Sequence, residues 1–129
     1  MDDEFDMWNG HKKRIHCTGK YIHFREGDIR WVYFGKNVGT EIMGKGEEFF
    51  RPVLVVKKVY RYSAIVVPLS SHKNTGNYYF SFTSTIGVEQ CANLAQVKYI
   101  DGKRFLKKTG MISQIDFVQL KNRFCKLFA

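Results

Sequence analysis

In GEEFFRPVLVVKK, residues 46–58, a permanent cation stands at the mouth of an apolar run and is followed at once by proline. Pro52 holds the residue before it extended, so a strand that starts here carries the Arg51 guanidinium in a fixed direction. That group keeps its charge near neutrality, and its fork matches two oxygens of one anion. The chemistry within its reach is anion binding, or neutralising charge as it builds on a substrate. A surface ion pair with Glu47 or Glu48 is the competing account, and position alone favours it. Further on, PLSSHK offers two hydroxyls and an imidazole in consecutive positions, Ser70, Ser71 and His72. In an extended chain Ser70 and Ser71 point opposite ways, and His72 returns to the face of Ser70. An unassisted hydroxyl is a feeble base but a good orienting group. Histidine as a residue type works near the pH of a proton shuttle, so His72 is a candidate for assisting proton transfer. A solvated loop histidine is the plainer alternative.

The charge balance suits an anionic partner. Lys plus Arg number 21 against 12 acids, a net of +9. Four acids fall in the first six residues, so residues 7–129 carry 21 basic and 8 acidic side chains, a net of +13. Small basic domains attract polyanions, nucleic acid foremost. Lys36, Lys45 and Lys73, with Tyr78, Tyr79 and Phe80, could line a groove for a single strand, cations on phosphates and rings under bases. Strand aromatics are as readily core, since half of them point inward.

At 129 residues one domain is expected, with a core that needs no staples. No run approaches the roughly 18 apolar residues of a membrane span. The acidic start MDDEFDMWNG lacks the order of a secretory signal, so cytoplasmic residence is the expectation. Cys17, Cys91 and Cys125 are an odd number without a CxxC pair and read as reduced, buried thiols. His11, His16, Cys17 and His23 lie close in sequence but match no common zinc spacing. No metal or cofactor is assigned.

The elements that must position these groups follow from period and punctuation. Residues 6–17 predict a short helix anchored by Trp8 and Ile15 and ended at Gly19. Ile29, Trp31 and Tyr33 alternate with Arg30, Val32 and Phe34, which predicts a strand. Residues 35–48, rich in glycine and without an apolar period, predict a long loop. Strands are expected at 52–60, 63–69, 78–82 and about 92–99, joined as an antiparallel meander that closes on itself. A short helical turn is expected at 102–107. A capped helix is expected over 113–128, with Ser113 and Asp116 at its start and Phe117, Leu120, Phe124 and Phe128 on one face. The fold class is mainly β, a small bent barrel with peripheral helices. One domain spans 1–129: a helical extension over 1–24, the barrel over 25–100 and a helical part over 101–129.

The order EGDIRWVYFG, NVGTE, RPVLVV, AIVVPLSS, LAQVKYID and a terminal helix resembles the MazF/PemK family of toxin endoribonucleases over residues 26–128. FDMWNGHKKRIH and GKGEEFFRP are most similar to a PemK-type branch with a short N-terminal helix. The resemblance implies an SH3-like barrel of the MazF/CcdB/PemK type, a homodimer, and metal-independent, sequence-selective cleavage of single-stranded RNA. It also implies a cognate antitoxin, whose acidic segment would silence the RNA groove. RNA can be cut without a metal when its own 2′-OH attacks the adjacent phosphorus, provided the protein aligns the strand and stabilises the phosphorane. The resemblance gives Arg51 that stabilising role and Ser70 the place of a usual threonine hydroxyl, with Ser71 the confounder. Glu41 matches a loop glutamate that could order the loop or orient Arg51, or simply be solvated. Gln96 sits where an amide could read a base edge, or satisfy backbone at a sheet end. Two other functions remain open: a non-catalytic nucleic-acid-binding barrel, and a gyrase-directed toxin of the same fold.

Overall fold

The structure, a computed structural model, describes residues 3–46 and 49–129. The elements run α1 (Asp3–Thr18), β1 (Asp28–Tyr33), β2 (Phe50–Tyr60), β3 (Ser63–Ser70), β4 (Tyr79–Thr83), β5 (Glu89–Asn93), β6 (Lys98–Asp101), β7 (Phe105–Met111) and α2 (Gln114–Lys126). Single 3-10 turns occupy Leu94–Gln96 and Gly102–Arg104. This is the expected mainly β architecture with a helix at each end.

The apolar run VLVV is continuous because β2 is buried on both faces. Leu54 and Val56 face one core with Val67, Leu69, Phe117 and Leu120. Val53 and Val55 face a second core with Phe24, Val66, Ile100 and Phe105. A strand clamped between two cores, with a ladder on each edge, is a rigid platform.

The strands pair antiparallel in the order β4-β5-β3-β2-β1-β7, with β6 also on β3. This corrects the meander, because β5 lies between β3 and β4. The outer edge of β3 serves two partners: Ser63–Val66 pair with β6, and Leu69–Ser70 with β5. Pro68 stands in the gap between them, where a missing N–H costs least. The strand expected over 92–99 is correspondingly broken. A turn at Leu94–Gln96, capped by the Asn93 side chain, carries the chain from one stretch of that edge to the other.

The region 101–129 is not purely helical. A 3-10 turn covers Gly102–Arg104, and β7 follows and pairs with β1. Its central Lys107 and Lys108 are exposed, as suits an edge strand, and they concealed it in the sequence. Thr85 in the β4–β5 turn donates its N–H to the Met111 carbonyl at 2.9 Å, so the two ends of the sheet meet. In α2, Ser113 Oγ accepts from the Asp116 N–H, and Phe117 and Leu120 are buried. Phe128 falls beyond the helix and is 75% exposed, contrary to the expected face. Cys91 is buried, but Cys17 and Cys125 are exposed, which corrects the expectation of three buried thiols. No described helix is long and apolar enough to cross a membrane.

α1 rests on one buried side chain, Trp8. Its ring lies 5.6 Å from Phe49 and closes on Gly35, where a Cβ would stand 2.3 Å from the indole. Gly35 also has φ +104, so two independent constraints select glycine there. Phe49, at φ 57, accepts the N–H groups of Phe34 and Gly35 through its carbonyl. A bulky residue held left-handed costs about 1–2 kcal/mol, which the surrounding contacts must offset.

Candidate active site

Arg51 enters β2 one residue after the strand begins and faces Val32 across the β1 ladder. On the other side the register runs Val55 to Val66, Leu54 to Val67 and Val53 to Pro68. That ladder ends at Val53–Pro68, and Arg51 and Ser70 lie two residues past it on the two neighbouring strands. The guanidinium is fixed by main chain. Nε donates to the Met43 carbonyl at 2.7 Å, and one terminal nitrogen donates to the Leu69 carbonyl, beside Ser70, at 3.2 Å. Burial pulls its pKa below the ordinary guanidinium value, and it remains a cation. Among the described residues no carboxylate comes within ion-pair distance of it. Glu47 and Glu48, the partners of the competing account, lie outside the described residues.

Arg51 and Ser70 line one cleft of about 520 Å³. Lys45 and Ser71 line it too. Trp31, Phe50 and Gln90 complete it and were not foreseen as site residues. Trp31 sits opposite Pro52 and is 40% exposed. The alternation in β1 put Trp31 on the face of Ile29, and the β1–β2 register runs unbroken through both; Ile29 is buried in one core, Val32 in the other, and Trp31 is exposed at the cleft. An exposed indole beside two cations can carry a base while the cations hold its phosphates.

Other expected site residues stand elsewhere. The strand ends at Ser70, and Ser71 and His72 form a bend, so the extended chain that would give His72 the face of Ser70 is absent. The His72 imidazole is exposed and outside the cleft lining; its backbone N–H donates to Ser70 Oγ at 3.0 Å. Gln96 uses its carbonyl on the Ile42 N–H at 2.9 Å and its amide on the Thr40 carbonyl at 3.1 Å. It ties the long loop to the sheet, the duller of its two readings. Glu41 accepts the Val38 N–H at 2.8 Å and orders that same loop, without touching Arg51. Lys36 pairs with Glu4 of α1 at 3.4 Å, and Lys73 with Glu89 at 3.9 Å; neither lines the cleft. Phe80 is core.

The loop therefore acts on the site through backbone. Gly44 packs so close to Phe49 that a Cβ would meet its carbonyl oxygen at 1.8 Å, and this contact presents the Met43 carbonyl to Arg51. Trp8, under Phe49, extends the brace to α1.

Comparison with known proteins finds relatives of the same fold. The structure is similar to MazF (Form-I) from Deinococcus radiodurans at 15% identity and a TM-score of 0.65, over 84% of this chain and 98% of that one. It is similar to MazE–MazF (Form-II) from the same organism at 13% identity and a TM-score of 0.61, over 85% and 98%. An endoribonuclease in complex with its cognate antitoxin, from a mycobacterial species, aligns at 9% identity and a TM-score of 0.60, over 82% and 95%. At these identities the likeness is one of fold. No curated protein sequence matches the chain. The sequence family described as the PemK-like, MazF-like toxin of type II toxin–antitoxin systems matches residues 25–128, and the chain belongs to that family.

Proposed function

We propose that this chain is a toxin that cuts single-stranded RNA selectively and without a metal, using the cleft shared by Arg51 and Ser70. The observation that carries the reading is a guanidinium pinned by two carbonyls, one of them next to Ser70, free of any described carboxylate, in a cleft that Arg51 and Ser70 both line. An RNA phosphodiester in the cleft is attacked by its own 2′-oxygen, whose proton passes to solvent water, as the 5′-oxygen leaves and takes a proton from water, giving a 2′,3′-cyclic phosphate and a 5′-hydroxyl end. Arg51 takes the charge that accumulates on the non-bridging oxygens. Ser70 Oγ already accepts the His72 N–H, so its own proton is directed outward and the group orients an RNA oxygen by donation. Trp31 stacks a base and Lys45 draws in the strand. The protein works as a homodimer, and an acidic segment of a cognate antitoxin silences the cleft by competing for its cations.

Inducing the chain in cells and mapping RNA 5′ ends tests this. The expected result is growth arrest with discrete fragments, both lost with Arg51→Ala, and cleavage in vitro that persists in EDTA. Arrest with intact RNA and damaged DNA would transfer the function to gyrase. Fragments that survive Arg51→Ala would overturn the assignment of the site.

A further inference from the structure

A second cleft, of about 380 Å³, lies between the C-terminal half of α1 and the Gly102–Arg104 turn and shares no lining residue with the first. Lys12 and His16 line it from the helix, and Lys103 and Arg104 from the turn, with Tyr21 at its edge. The helix side belongs to residues 7–25, which hold five Lys and Arg and no acid. Most of that stretch precedes the family segment at 25–128.

Among the described residues its cations form no ion pair, and Asp101 is the one carboxylate in its lining. Arg104 is half-buried, donates to the carbonyls of Tyr33 at 3.3 Å and Phe34 at 3.4 Å, and lies over the Trp8 ring at 5.5 Å. Among the described residues no carboxylate comes within ion-pair distance of Lys12, Lys103 or Arg104. Asp101 lines the cleft, but it accepts the Tyr21 hydroxyl at 3.0 Å and the Lys103 N–H at 2.9 Å as cap of the turn. Neighbouring Lys98 is pushed below the ordinary lysine value by burial and then by repulsion from Arg104, with Lys12 acting in the same direction and Glu41 opposing. Burial likewise lowers Arg104, and Asp101 opposes it. Cations that repel one another beside an open cleft mark a place for an external anion.

The surroundings identify the anion. Tyr21 and Tyr62, both exposed, stack at 4.2 Å. Lys103 lies over Tyr21 and Arg61 over Tyr62, each at 5.4 Å. Exposed rings interleaved with cations suit an unpaired nucleic-acid strand, phosphates on the cations and bases on the rings. An acidic polypeptide would satisfy the cations but offer nothing to stack on the rings that Lys103 and Arg61 lie over.

We propose that this cleft is a second RNA contact, in which Lys12, Lys103 and Arg104 hold backbone phosphates of nucleotides flanking the cleavage point and the Tyr21–Tyr62 pair stacks a base. The inference deepens the ribonuclease reading and rests on RNA being the substrate. It makes affinity depend on strand length, because a short RNA fills the cleavage cleft alone.

Fluorescence polarisation with 2′-O-methyl oligonucleotides reads binding apart from cleavage, since they have no free 2′-OH. With Lys12→Gln/Lys103→Gln in the full chain, affinity for a strand of about 20 nucleotides should fall about tenfold. The slope of log affinity on log salt should flatten by about 1.4, two phosphates at about 0.7 each. A strand of about 5 nucleotides, within one single-strand site, should bind as before, and its unmodified counterpart should be cut as before. Lys103→Arg, which keeps the charge and the reach to the His16 carbonyl, should retain the long-strand affinity. Unchanged long-strand affinity and slope would overturn the proposal, and so would equal losses on both lengths. A glutamate-rich peptide whose binding is lost in the double variant while RNA affinity stays would assign the cleft to a protein partner and overturn it too. If wild type cuts no RNA yet the double variant still loses the long strand, the ribonuclease reading fails and the second contact stands.

Discussion

Arg51 and Arg104 are two answers to one electrostatic problem. Each is half-buried, each donates to two backbone carbonyls, and each borders a cleft with no described carboxylate in ion-pair range. They differ in what stands behind them. Arg51 is mounted on β2, locked by ladders on both edges and cores on both faces. Arg104 sits in a single 3-10 turn under a helix with one buried side chain, Trp8. Stabilising a transition state requires a charge placed to within about half an ångström, whereas drawing in a backbone requires only charge in the neighbourhood. The contrast assigns chemistry to the first cleft and affinity to the second.

The sharpest way to break that contrast is to remove each cation's support. Arg51→Ala should lower single-turnover cleavage by about 10³-fold, since charge stabilisation by a fixed guanidinium is worth that much, with thermal stability little changed. Ser70→Ala should cost about 10²-fold as a lost donor, and Ser70→Thr should keep the rate within a few-fold.

Trp8→Ala should act on the other cleft. Losing a buried indole costs about 3 kcal/mol, and a 16-residue helix is marginal without docking. Trypsin should then cut after Lys12, Lys13 and Arg14 while residues 25–128 stay resistant, and long-strand affinity should fall with it. An undigested helix would show that α1 is held by more than Trp8. His72→Gln sets the lower bound. Its backbone N–H survives the change, so the pH profile of cleavage should stay as in wild type. A shifted profile would return the imidazole to the chemistry and make the first cleft less dependent on main chain.

Much of the first cleft was legible in the sequence because its logic is local. RP fixes the direction of a guanidinium, VLVV announces a strand buried on both faces, and the hydroxyl of PLSS ends the neighbouring strand. What escaped depends on distant partners. Trp31 is exposed at the cleft while Ile29 and Val32 beside it are buried in separate cores, and β7 is hidden by its two exposed lysines. The Gln96 and Glu41 side chains look like substrate readers until the loop backbone they hold is in view. Lys36 looks like a groove cation until α1 folds back to offer Glu4. The second cleft is assembled from residues 12–21 and 101–104, and no local pattern joins them.

The central claim is that Arg51 and Ser70 meet on one phosphodiester, and a double-mutant cycle on single-turnover cleavage tests it most directly. If both groups act on the same reacting phosphate, Arg51→Ala/Ser70→Ala should be no slower than Arg51→Ala alone to within about threefold, because groups acting as a unit are strongly non-additive. Penalties that multiply, to about 10⁵-fold, would place the two side chains on separate events and contradict the account.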